Sequence, residues 1–113
     1  MTGASIIGLV IYALVAAVMM GIGIVQLRSK MPVAFYSGEE PPSEENLTDV
    51  KAWNRKHGWM WFSYGIILLV SYFLGMFVGD SVWSVLPMVG GAIVPIIFMI
   101  IYHHRLIKKY YKK

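Results

Sequence analysis

The side chains best suited to chemistry near neutral pH in this 113-residue chain are three histidines, His57, His103 and His104. Brought together on one membrane face they could make a metal site. Asp49 and the pairs Glu39–Glu40 and Glu44–Glu45 could serve as acid or base if burial tuned them. Tyr36 and Asn54, with Asp49, Glu39 and Glu40, could approach His103 and His104 at the inner end of the third span. The spacing does not support such a centre. There is no HExxH or similar metal motif, no GxSxG turn and no Gly-rich phosphate loop. The chain has no cysteine, which excludes disulfides, thiolate metal sites and cysteine nucleophiles. The expectation is histidines that stay wet at an interface and a solvated acidic loop. The reading is therefore a non-enzyme with no catalytic residue, no cofactor and no metal.

The elements that must position these residues are apolar. Hydrophobic residues make up 58% of the chain and charged residues 14%. A soluble core cannot absorb so much apolar surface in so short a chain. The apolar residues fall into long runs over residues 4–27, 59–79 and 82–102. As a helix the first run is about 36 Å long, enough to cross a hydrocarbon layer of about 30 Å with some tilt. Residues 1–3 carry no charge and the run is long, so a retained span is expected rather than a cleaved signal. Pro87 and Pro95 predict a kink or loosened turn in the third run. The short link at residues 79–81 makes the second and third runs an antiparallel hairpin. The expected fold is a single all-α membrane domain over residues 1–113. It has three transmembrane helices, a cytoplasmic loop over 28–58 carrying one amphipathic helix, and a basic C-terminal tail over 103–113.

All ten Lys and Arg residues lie in the loop or the tail, and the other side of the spans has only Asp80. The positive-inside rule then puts the N-terminus outside and the loop and C-terminus in the cytoplasm of a bacterial inner membrane. Trp59, Trp61 and Tyr102 would mark the inner interface and Trp83 the outer one. The net charge of +4 is explained by this flanking pattern, and no nucleic-acid-binding signature is present. The expected partners are membrane lipid and either another membrane protein or a second copy of the chain. No Asp, Glu, Lys or Arg lies within a span, which argues against a self-contained proton-coupled exporter.

In lipid, helices associate through small residues. Ala13, Ala17 and Gly21 form one such stripe, and Ser71, Gly75 and Gly79 another. These serve contacts within the chain or between copies. An alternative function, a homo-oligomeric channel or small-solute transporter, would line its pathway with Ser63, Tyr64, Ser71 and Tyr72.

The polar segment between the first two spans is the most informative. Pro41–Pro42 set up a helix start, with Ser43 or Asn46 as cap. From residue 44 to 57, Leu47, Val50, Trp53, Asn54 and His57 recur at helical steps. Acidic residues come early and basic ones late, as the helix dipole favours. This predicts an amphipathic helix at the cytoplasmic interface, either lying on the membrane or extending the second span. Val33-Ala34-Phe35-Tyr36-Ser37-Gly38, an acidic gap, then Asp49-Val50-Lys51-Ala52-Trp53-Asn54-Arg55-Lys56-His57-Gly58 entering a span resembles small bacterial three-helix membrane proteins of unknown function. It is also distantly similar to the immunity and signalling membrane proteins paired with a sporulation-delaying toxin. The resemblance implies an inner-membrane location and an accessory, regulatory or immunity-type role. Tyr36, Trp53, Asn54 and His57 are the expected interaction residues, as contact or loop-ordering groups.

Overall fold

The structure is a computed structural model that describes residues 3–35, 41–79 and 82–112. It is all-α among the described residues, with α1 at Gly3–Arg28, α2 at Val50–Val78 and α3 at Val85–Tyr110. Short 3-10 turns at Glu44–Asn46 and Val82–Ser84 precede α2 and α3. Three helices are long and apolar enough to cross a membrane. The molecule is an elongated bundle of 53 × 22 × 20 Å.

The central helix is α2. Of its most apolar stretch 33% is buried, against 11% for the first helix and 6% for the third. It packs on α1 along one side and α3 along the other. The apolar faces left open on all three helices, with Leu14, Phe73 and Phe98 among their exposed residues, are what a lipid solvent permits.

The α1–α2 seam is built on glycine. A Cβ on Gly23 would lie 2.5 Å from the Gly58 carbonyl oxygen and 2.7 Å from the Phe62 nitrogen. A Cβ on Gly65 would lie 2.8 Å from the Ala16 carbonyl oxygen. The α1 residues facing α2 therefore include Gly8, Tyr12, Ala16 and Gly23. The intrachain contact expected of the Ala13, Ala17 and Gly21 stripe falls to this other face. Ala13 and Ala17 are exposed, and a Cβ on Gly21 meets nothing within 4 Å. The second stripe packs α2 on α3 at two of its positions. A Cβ on Gly75 would strike Met88 and the Ser84 carbonyl, and one on Gly91 would strike Ser71. Gly79 instead ends α2, with φ +93°, a conformation that suits glycine alone, and its N–H donates to the Met76 carbonyl.

Of the two placements open for the helix over 44–57, lying on the membrane or extending the second span, residues 50–57 take the second and residues 44–46 are not part of it. Residues 44–46 make the 3-10 turn, and residues 50–57 are the first turns of α2, which runs unbroken through Gly58. The cap is Asp49, whose carboxylate accepts the Ala52 N–H at 3.0 Å, rather than Ser43 or Asn46. The face carrying Leu47, Trp53, Asn54 and His57 is buried against protein, so it does not lie on a lipid surface. Gly58 causes no break because it is pressed against the Gly23 carbonyl and Leu27 of α1. Pro87 falls in the first turn of α3, where its missing N–H is not needed, and α3 continues through Pro95 as one helix.

The tail is helical up to Tyr110 and then turns extended. Residues 110–112 pair with 46–48: the Thr48 N–H donates to the Tyr110 carbonyl and the Lys112 N–H to the Asn46 carbonyl, both at 2.7 Å. The end of α3 is thereby tied to the segment that leads into α2.

Candidate functional site

Of the buried polar side chains among the described residues, Gln26, Asn54, His57 and His103 lie where the end of α1, the start of α2 and the end of α3 meet, and Ser71 lies apart. Trp53, Asn54 and His57 rise from the first turns of α2 and are the largest fully buried side chains of the described residues. His103 comes from α3 and is also buried. Above them runs the irregular segment 29–35, with bends at Lys30, Met31 and Phe35.

Asn54 is the clamp. Its amide nitrogen donates to the Ser29 carbonyl at 3.1 Å and to the Met31 carbonyl at 2.8 Å. Its amide oxygen accepts the Val33 N–H at 3.0 Å. The adjacent Trp53 indole N–H donates to the Val33 carbonyl at 2.9 Å. Both backbone groups of Val33 are thus satisfied by neighbouring side chains of one helix. Gln26 of α1 donates to the Ala34 carbonyl at 3.1 Å. An irregular segment with no strand or helix partner would otherwise leave these groups unpaired at costs of about 1–3 kcal/mol each where buried.

Beneath the clamp, His57 Nε2 and His103 Nδ1 are hydrogen-bonded at 2.8 Å, and His57 Nδ1 is 2.8 Å from the Trp53 carbonyl oxygen. A carbonyl can only accept, so His57 Nδ1 carries a proton. In the neutral pair His57 Nε2 accepts from His103 Nδ1–H. With one added proton in the pair either imidazole can donate to the other, so the bond is kept. A second added proton would place two N–H groups face to face. The pair can therefore hold one extra proton and keep its bond.

Aromatic packing completes the site. Phe35 sets its edge against His103 at 4.6 Å and against Trp61 at 5.7 Å. Trp53 stacks obliquely on His57 at 4.2 Å, and Leu47, Leu106 and Tyr110 close the cluster. Gln26 Oε1 and Trp61 Nε1 are buried without a hydrogen-bond partner among the described residues.

Of the expected interaction residues, Trp53, Asn54 and His57 come together, and their burial makes them groups that order the loop. Tyr36 lies outside the described residues, as do Glu39 and Glu40. Of the three histidines two are joined, while His104 is exposed with its ring 6.0 Å from that of His103. No group of three or more His, Asp or Glu side chains placed to hold a metal occurs among the described residues. Asp49 is spent on the helix cap, and Glu44 and Glu45 are exposed.

The residues weighed as a channel lining have other partners. The Tyr64 hydroxyl donates to the Ala92 carbonyl at 2.6 Å and the Ser71 hydroxyl to the Ile67 carbonyl at 2.7 Å. The Tyr72 hydroxyl donates to the Ser5 carbonyl. Ser63 alone of the four is exposed.

Gln26 and Phe35 belong to the site without having been singled out. Gln26 carried a usable signal: an amide in an apolar span must turn towards protein, because lipid offers it no hydrogen bond. Comparison with protein families, characterised proteins and solved structures finds no match for this chain, so its function has to be argued from this geometry.

Proposed function

We propose that this chain is a multi-pass protein of a bacterial inner membrane. Its N-terminus faces outward, and its loop and C-terminus face the cytoplasm. It acts as a non-enzymatic accessory, regulatory or immunity-type protein, and its loop end is the recognition surface for another membrane protein. The observation that carries this reading is the clamping of residues 29–35 by Asn54, Trp53 and Gln26. A loop that only joined two spans could remain loose. Ordering it costs conformational entropy of about 1–2 kcal/mol per residue. Here that cost is offset by buried side chains of two helices, which keeps one shape of the loop on offer to a partner before binding.

The test is native copurification of a tagged full-length chain, wild type beside Asn54→Ala. The expected result is a membrane-protein partner that travels with the wild type and is lost from the variant, while both insert equally. A chain that purifies alone, or a partner retained after the loop has been unclamped, rejects the reading.

A further inference from the structure

The second feature of this end of the bundle is a cleft between α2 and α3, on the flank of the helices, with a volume of about 1050 Å³. Its mouth, at the end of the bundle that holds the clamped loop, carries Arg55 and Lys56 of α2 and Arg105 of α3. No carboxylate lines it. Trp59 and Tyr102 flank the mouth, and Phe98, exposed on the open side, forms part of the wall. Its lower end is at Ile67 and Val94. From Arg55 to Ile67 is twelve residues of helix, about 18 Å at the α-helical rise.

We infer that this cleft binds one anionic phospholipid, with its phosphate between Arg55, Lys56 and Arg105 and an acyl chain along the trough. Charge complementarity selects the headgroup: three cations with no acid attract a net-negative lipid and disfavour one whose phosphate is balanced by an ammonium. Dimensions select the chain. A trough of about 18 Å spans roughly the hydrocarbon of one leaflet, half of a core of about 30 Å. An acidic peptide fits less well, because its backbone polar groups would find no partners along apolar walls. The indole of Trp59 and the phenol of Tyr102 stand at the level where headgroups meet hydrocarbon. The inference needs the chain to sit in a bilayer, but it is independent of the protein partner proposed above.

The experiment uses the full-length chain purified in detergent. It is titrated with phosphatidylglycerol or with phosphatidylcholine of the same acyl chains, and bound lipid is counted by native mass spectrometry. Phosphatidylglycerol should bind tighter by about tenfold or more. Each basic residue near an anionic lipid contributes a factor of about five, so Arg55→Gln/Lys56→Gln/Arg105→Gln should weaken binding on the order of a hundredfold. Lys108→Gln/Lys109→Gln/Lys112→Gln removes the same charge from the tail and should leave binding unchanged. Ser63→Trp, which fills the trough from an exposed position, should weaken binding with all cations in place. Equal binding of the two lipids overturns the inference. So does an equal loss in the tail variant, which would reduce the effect to net charge. Unaltered binding in Ser63→Trp, or displacement of the lipid by soluble glycerol phosphate, overturns it by removing the acyl chain from the site. None of these outcomes bears on partner capture, which the Asn54→Ala copurification reads separately.

Discussion

Asn54 is nearly fully buried, and a primary amide is the one side chain of its size that offers two donors and an acceptor to a backbone. Alanine there would strand the Ser29 carbonyl and the Val33 N–H, while the Met31 carbonyl keeps the Ser29 hydroxyl as a donor, and the expected loss of stability is about 1–3 kcal/mol. Asn54→Asp, nearly the same shape, should do worse, since it lacks both donors and buries a charge. Thermal unfolding in detergent, with limited proteolysis at residues 29–35, checks both. If Asn54→Ala leaves the loop as protected as in wild type, the clamp is not what orders it. The histidine pair makes a sharper distinction. His103 uses Nδ1 in the bond to His57, and an asparagine amide reaches the same position. His103→Asn should therefore be more stable than His103→Leu by about 1–3 kcal/mol, the cost of leaving a buried imidazole nitrogen unpaired. Equal midpoints for the two variants would mean that the bond contributes nothing. That Trp53, Asn54 and His57 share one helix face was legible in their spacing. That they face inward was not legible, since a helical period gives a face but not what covers it.

At the scale of the helices, α1 shows where sequence reasoning misassigned a face. Small residues at four-residue steps mark Ala13, Ala17 and Gly21, yet Gly23 and Ala16 touch α2. A small residue permits close approach without requiring it. The stronger signal was polarity: Tyr12 and Gln26 must turn from lipid towards protein, and they share the face of Ala16 and Gly23. Tyr12 does so by donating to the Met88 carbonyl at 3.0 Å, and Gln26 by holding Ala34. The start of α2 was misplaced for a related reason. Periodicity runs back to residue 44, but Asp49 supplies the cap, and the chain before it turns to pair with the tail. Long-range pairing of this kind leaves no trace in local spacing. Two glycine variants test the observed seam. Gly23→Ala drives a methyl into the backbone of α2 at Gly58 and Phe62, which only separation of the helices relieves, and should cost about 1–3 kcal/mol. Gly21→Ala meets open space and should be neutral or slightly stabilising, since alanine is the better helix former. Unfolding midpoints of the two in detergent decide. The reverse ranking would move the α1–α2 contact back to the Ala13–Gly21 face.

For the whole molecule the governing fact is where the cations end up. Arg28 closes α1, Lys51, Arg55 and Lys56 open α2, and Arg105, Lys108 and Lys109 close α3. The up-down-up path of the helices gathers them at the end that holds the clamped loop, while the other end, around Gly79 and Val82, has none among the described residues. Moving Lys and Arg through a bilayer is costly, about 2.5–3.5 kcal/mol for each at the centre of a span, so the end that carries them should stay on the side of synthesis. The absence of native cysteine makes this directly measurable. Single cysteines placed by Lys51→Cys and Lys109→Cys should react with a membrane-impermeant maleimide only after the cells are opened. Val82→Cys, exposed at the opposite end, should react in intact cells. The opposite pattern would put the loop, its histidine pair and the cationic mouth of the cleft in the outer compartment. A cytoplasm-facing partner could not reach them there, and the lipid in the cleft would have to come from the outer leaflet.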